Sequence, residues 1–337
     1  MEQQSTPSYE KLLLIERDDD KYTPLSEIPE EYLKLMLPYF RAYFYQDEDC
    51  DMLCQHIRVN EFSIWGHDIL AKNYIVLKPR THRHIIALHY MQEDPIDAVI
   101  DRMGPFRLKT KEVNLFSLHA DFHSAALDLG CKIFSFHINV RPETLPELAK
   151  KYPELQHLAQ LQLDGINGPL NLAPYEINDV CSRMLKRIFR CRYVELQAAC
   201  FLYRCCVDLF RNFAIQDARF RLAKEGGEPV PTNDSLIKQV FSYVEANKRE
   251  PLTLEILSGV FGISATALNT GFERTYATSL SDYLLQQRMY NIYYQLLKTK
   301  ASLSSIAYKN GYPNRRAMVA DFTAYFEHDP VRIRNAQ

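Results

Sequence analysis

Residues 252–276 read LTLEILSGVFGISATALNTGFERTY, and residues 305–326 return to a related pattern, SIAYKNGYPNRRAMVADFTAYF. In the first stretch Thr253 precedes Leu254, Leu257 and Val260, all expected to point inward, and Gly262 stands where a helix ends on a left-handed residue. Ser264 then occupies an N-cap position, from which its side-chain oxygen can accept from the free N–H groups of the next turn. Leu268, Phe272 and Tyr276 follow at spacing four. The pattern predicts a helix, a tight glycine turn and a second helix packed through those three residues. The opposite face carries Ala265, Thr266, Asn269, Thr270 and Glu273, with Arg274 toward one edge. Small and polar side chains let a helix approach base edges in a major groove. Ala265, Thr266, Asn269, Thr270 and Arg274 are therefore candidate DNA-reading residues.

The second stretch repeats the logic. Ser302 or Ser304 opens it, Ile306 and Ala307 face inward, Gly311 supplies the turn, and Asn314 caps the next helix. Val319, Phe322 and Phe326 are expected to hold that helix to the core. Arg315 and Arg316 sit in its first turn, where a recognition helix meets DNA, so Asn314, Arg315, Arg316 and Ala320 form a second candidate set. Between the two, Ser279 with Asp282 makes a capping box for a helix over 280–298. Its length is about 28 Å at 1.5 Å per residue, close to the ~34 Å between successive major grooves on one face of DNA. One rod carrying two readers is thus geometrically sensible. Asp234 or Ser235 caps a preceding helix, and Pro330 begins a short final one.

With these residues in view, the region 235–334 resembles the C-terminal domain of the AraC/XylS family of bacterial transcription regulators. The matching positions include Leu252, Leu254, Leu257, Gly262, Ser264, Leu268, Phe272, Ser279, Tyr283, Arg288, Leu296, Leu297, Ile306, Ala307, Gly311, Tyr312, Phe322 and Pro330. The run Leu268-Asn269-Thr270-Gly271-Phe272 is similar to the pyochelin-regulator branch. The resemblance implies a double-stranded DNA operator and RNA polymerase as partners, and a cupin-like sensory barrel upstream for a small-molecule effector. Four departures stand out. Ala277 and Glu327 replace the usual Gly after each reading helix, so those turns are expected to be made differently. Asp329 replaces Thr before Pro330. Ala320 stands where the family has Arg, which leaves Arg315 or Arg316 to make that contact.

The rest of the 337-residue chain must house the sensor. Net charge is −2 overall, but residues 233–337 hold 12 Lys and Arg against 9 Asp and Glu, while residues 1–232 hold 28 against 33. A basic tail on an acidic body suits a local DNA contact. No run of eighteen apolar residues exists, which argues against a membrane partner. Eight cysteines without CxxC spacing read as reduced thiols of a cytoplasmic protein. Residues 29–46 suggest a helix divided at Pro38. Short β-rich runs from about 54 to 140 suggest a small antiparallel barrel or sandwich, with turns at Gly66-His67-Asp68, at 103–105 and at 129–130. Pro146 is expected to interrupt a helix starting at Pro142. Apolar stripes over 175–190 and 194–213 predict two helices that either pack on the barrel or expose a homodimer face. Residues 221–232 have the composition of a linker.

The expected fold class is therefore α+β: a cupin-like barrel with a helical dimerisation segment, then an all-α domain with two helix-turn-helix units joined by a long helix. The expected boundaries are an N-terminal extension over 1–50, sensor and dimerisation domain over 51–225, linker over 226–232 and DNA-binding domain over 233–337. For the effector, Arg80, His82 and His84 stand out, with the two histidines facing one side if they lie on a strand and with charge suited to an anion. A metal site would need a Glu where Leu88 stands, so no metal or cofactor is expected. No paired acid/base motif marks a catalytic residue. The expected function is an effector-responsive regulator and not an enzyme. The competing readings are a metal-dependent cupin enzyme with a DNA-binding tail, or a ligand-independent regulator governed by a protein partner.

Overall fold

The structure, a computed structural model, describes residues 14–17, 25, 27–101, 103–119, 123–161, 163, 165–226 and 235–336. The chain divides into two compact units, Met1–Ile177 and Asn178–Gln337. Of the stretch 226–232 read as a linker, all but Gly226 lies outside the described residues, as does Asp234.

The first unit is built from β1 (Leu14–Arg17), α1 (Glu30–Leu33), β2 (Arg41–Gln46), β3 (Cys50–Val59), β4 (Phe62–Ala71), β5 (Ile75–Arg80), β6 (Ile85–Met91), β7 (Ile96–Ile100), β8 (Gly104–Leu108), β9 (Glu112–Leu118), β10 (Ser124–Leu127) and β11 (Lys132–Val140). α2 (Thr144–Lys151), α3 (Gln156–Ala159), β12 (Gly168–Pro169) and β13 (Tyr175–Glu176) complete it. One antiparallel sheet runs β12-β9-β6-β11-β4-β3-β2, with β13 also on β9; the other runs β1-β5-β10-β7-β8. Met52, Trp65, Ile69 and Ile133 of the first share a core with Ile75, Leu77, Ile96 and Leu127 of the second. Alternation along each strand puts these residues on the inner faces.

Several local expectations are corrected. The helix expected over 29–46 is a single turn, α1, followed by β2, because Pro38 blocks continuation and the aromatics at 43–45 pair with β3. Gly66-His67-Asp68 is no turn. It is the middle of β4, where Gly66 pairs with Gln55 on one side and Phe136 on the other. Pairing along both edges of a central strand overrides the turn preference of three residues. Pro146 sits inside the first turn of α2, where its missing N–H costs nothing.

The second unit contains α4 (Asp179–Phe189), α5 (Glu195–Lys224), α6 (Ser235–Ala246), α7 (Leu254–Phe261), α8 (Ala265–Tyr276), α9 (Leu280–Lys298), α10 (Leu303–Lys309), α11 (Arg315–Phe326) and α12 (Pro330–Asn335). α4 and α5, assigned to the sensor from sequence, thus belong to the same unit as the candidate readers. α5 also runs eleven residues beyond the expected end at 213. No helix among the described residues is long and apolar enough to cross a membrane.

Candidate nucleic-acid interface

The first helix-turn-helix pair, α7 and α8, forms as its capping residues dictate. Thr253 Oγ1 accepts from the Ile256 N–H (3.3 Å), Gly262 ends α7 at φ 66°, and Ser264 Oγ accepts from the Ala267 N–H (3.2 Å). Leu257, Leu268 and Phe272 are fully buried, in one core with Ile237, Val240 and Val244 of α6 and Leu280 and Tyr283 of α9. Each such side chain contributes about 1.5–3 kcal/mol by burial. Val260 is not inward as expected but half exposed beside Ile256; Phe261, one residue on, packs against the core instead. On the outer face Thr266, Thr270 and Arg274 are exposed, with Ala265 and Asn269 partly so. Asn269 Oδ1 accepts from both the backbone N–H and the hydroxyl of Ser281 (2.9 and 3.1 Å). That bond docks α8 on the start of α9 and leaves the Asn269 amide donors for a partner.

In the second pair, α10 and α11, Ser302 is the opening cap, accepting from the Ser305 N–H (3.2 Å), and Gly311 makes the turn at φ 78°. A Cβ on Gly311 would lie 2.8 Å from Pro251 Cβ, so the position needs glycine twice over. Asn314 Oδ1 accepts from the Ala317 N–H (2.9 Å). Met318, with Phe322 and Phe326, carries the inward face of α11, while Val319 is only half-buried. Asn314, Arg315, Arg316 and Ala320 are all exposed. Two arginines at the positive end of a helix dipole are unfavourable for the helix itself, so folding does not explain them. α9 ties the two helix-turn-helix pairs together: Arg288 donates to Leu252 O (3.3 Å) and lies over the Tyr312 ring (5.6 Å), and Asn291 donates to Asn310 (2.9 Å).

The family model for a helix-turn-helix domain matches residues 257–336. An uncharacterised HTH-type transcriptional regulator of Escherichia coli, YdiP, is 36% identical over 81 residues, 24% of this chain and 27% of that protein. The chain thus spans about a quarter of that relative's length. The multiple antibiotic resistance protein MarA of Salmonella typhimurium is 25% identical over 103 residues, which cover 31% of this chain and 81% of MarA. Among solved structures, an AraC-type regulator from Chromobacterium violaceum aligns at 24% identity and TM-score 0.27 over 29% of this chain and 88% of its own. The C-terminal domain is an AraC-type helix-turn-helix domain. Its two departures from Gly turns do not change the turns: Ala277 and Glu327 adopt the same left-handed conformation, at φ 51° and 62°. Asp329 caps α12 by accepting from the Val331 and Arg332 N–H groups (2.7 and 3.3 Å).

The AraC-type domain is braced by α5, a role that sequence reading missed. Asn212 Nδ2 donates to Tyr276 O (2.6 Å) and Ala277 O (3.2 Å), the last carbonyls of α8. Arg219 donates to the Glu273 carbonyl and carboxylate. At the second helix-turn-helix pair Arg204 donates to Tyr325 O (3.3 Å), with its guanidinium 3.7 Å over the Tyr325 ring. Asp208 is the hub, accepting from Arg204 (2.5 Å), Tyr325 OH (2.6 Å), Tyr290 OH (3.2 Å) and Gln286 (3.2 Å). Burial, with the Asp208 charge adding to it, raises Tyr290 and Tyr325 well above the ordinary phenol pKa, so both remain donors. The available signal was an Arg and an Asp four residues apart within an apolar run.

The sensor residues expected from sequence do not meet the cavity of the first unit. His82 and His84 lie in the bend between β5 and β6 and not on a strand; His82 is exposed, and His84 bonds Ser117 (2.8 Å) and stacks on His119. Neither they nor Arg80 line the cavity, about 120 Å³, which carries no charged residue and is walled by Ile96, Phe106, Phe116 and four histidines, 67, 89, 123 and 137. His137 Nδ1 donates to Asn139 Oδ1 (3.1 Å), so His137 Nε2 accepts from His67 Nε2–H (2.9 Å), and His67 Nδ1 accepts from the Cys54 thiol (3.1 Å). Burial keeps three of these four imidazoles neutral: it pushes His89 down to about 3 and His137 to about 4, and with help from His137 drives His67 well below its usual value. His89 Nδ1 has no hydrogen-bond partner among the described residues.

Proposed function

We propose that the chain is a cytoplasmic, sequence-specific DNA-binding regulator of transcription that acts as a homodimer on an operator, engages RNA polymerase and responds to a small effector in its first unit. The observation that carries the reading is the pair of capped helices, α8 and α11, mounted on one rod with small, polar and basic residues outward. Thr266, Asn269, Thr270 and Arg274 read one groove segment; Asn314, Arg315 and Arg316 read the next, with Ala320 leaving room for a base edge. Operator selected from a random pool supplies the test. Arg315→Ala or Arg316→Ala should each weaken binding by about 1–3 kcal/mol and relax sequence preference at one position. Unchanged affinity in both variants would sink the assignment of α11.

The effector that suits the cavity is small and neutral. Its volume is near the ~150 Å³ of an apolar cavity that takes benzene, and it offers an anion no cation. His89 Nδ1 is the polar anchor. A ligand with this chemistry would raise the melting temperature of the chain and lose that effect in His89→Phe; it alters DNA affinity only through different affinities for two states of the protein.

A further inference from the structure

The second unit holds a groove of about 500 Å³ between α4, the start of α5, the end of α6 and the outer stripe of α9. Eight Arg and Lys side chains line it against one carboxylate, Glu245. Glu245 is already paired with Arg183 (2.5 Å), so among the described residues seven cations there have no acidic partner. In a chain of net charge −2 such a concentration is not a by-product of composition. Arg187 fixes the floor. Its guanidinium lies 4.4 Å over the Tyr290 ring and donates through Nη2 to Gln287 Oε1 (2.5 Å). That bond settles the Gln287 amide orientation, leaving Gln287 Nε2 and Arg187 Nη1 as buried donors with no acceptor among the described residues. Gln287 is itself only 6% exposed. Beside this charge stand aromatic surfaces, half-buried Tyr193 and exposed Tyr294.

The groove lies to one side of the reading surface. Gln287, Asn291, Tyr294 and Lys298 form one stripe of α9, and at 100° per residue that stripe lies roughly a third of a turn from Ser281, where Asn269 of the reading face is docked. We infer that the groove is a binding site for a nucleoside polyphosphate, its phosphates held by Arg187, Arg190 and Lys298 and its base stacked on Tyr294. Guanidinium forks suit phosphate oxygens in pairs, and base stacking on an aromatic face is tolerant of base identity. A ligand so placed joins α4 to α6 and α9 and fastens the flank of the AraC-type domain, whatever that domain reads.

Titration calorimetry of the full chain with ATP, and with inorganic tripolyphosphate as the ring-free probe, tests this without DNA. ATP should bind with micromolar Kd and about tenfold more tightly than tripolyphosphate. Arg190→Glu with Lys298→Glu, both exposed, should weaken ATP at least tenfold; Tyr294→Ala should weaken ATP while sparing tripolyphosphate; Lys109→Glu in the first unit should change neither. No ATP binding at 1 mM, or equal affinity for the two probes, overturns the site. So does a tenfold loss of operator affinity in the double charge reversal, because the groove would then be a contact for DNA phosphates.

Discussion

Ala277 and Glu327 hold left-handed backbone that L-residues avoid, at a cost of about 1–2 kcal/mol each. Glu327→Gly should therefore stabilise the second unit, by about 0.5–1 kcal/mol once the greater freedom of glycine in the unfolded chain is subtracted. A higher urea midpoint at unchanged m-value would register it. Asp208 should behave in the opposite way. Removing it strands the Arg204 guanidinium, 4% exposed, without its carboxylate, and Asp208→Ala should cost about 3–5 kcal/mol; an unfolding midpoint that stays put would mean the hub is not structural. The two kinds of residue differ in legibility. Ser264, Ser279 and Asn314 were readable because each cap bonds a group three residues away. Asp208 was not, because its partners Gln286 and Tyr325 lie 78 and 117 positions further on. His67 was hidden by its neighbours, since a Gly before it and an Asp after it form a turn signature that only the ladders of β3 and β11 overrule.

At the scale of elements, the helices of the AraC-type domain were legible almost to their ends. The expected 280–298 rod is α9 as found, and both glycine turns stand where their left-handed residues predict. Caps, glycine turns and apolar periodicity are local, so each helix declares itself. Strands declare themselves only through partners. Between about 54 and 140 the β-rich character was legible but the individual strands were not: β3 and β4, buried along most of their length, carry little alternation, and β10 is only four residues long. The helix α5 was expected, but its bracing role was not. It is buried on nearly every side from Cys200 to Ala214, so its apolar stripe did not single out the carbonyls it covers.

Across the whole molecule the histidines are distributed unequally: nine of ten fall before residue 178, with His328 the exception. Three of the cavity imidazoles, those of His67, His89 and His137, have folded pKa values far below the unfolded value of about 6.5. Their neutral forms favour the native state, so this contribution is complete above pH 6.5 and is lost as pH falls toward 4 and then 3. The decline is up to about 1.4 kcal/mol per pH unit for each such histidine. Calorimetric scans from pH 7 to 4 should show the melting of the first unit moving down while that of the second changes less. A parallel decline of both, or a flat first transition, would contradict the neutral cluster.

In the proposed complex with an operator, the bonds from α5 to the ends of α8 and α11 bear on what the duplex itself must do. A reader whose two helices are fastened to a common third helix has little freedom to adjust their spacing, so a mismatch with the pitch of B-form DNA falls on the nucleic acid. Such a protein prefers operators whose intervening steps bend or unwind cheaply, pyrimidine–purine steps above all. Sequence preference would then extend to base pairs that no side chain touches, set by the stiffness of the DNA between the two grooves.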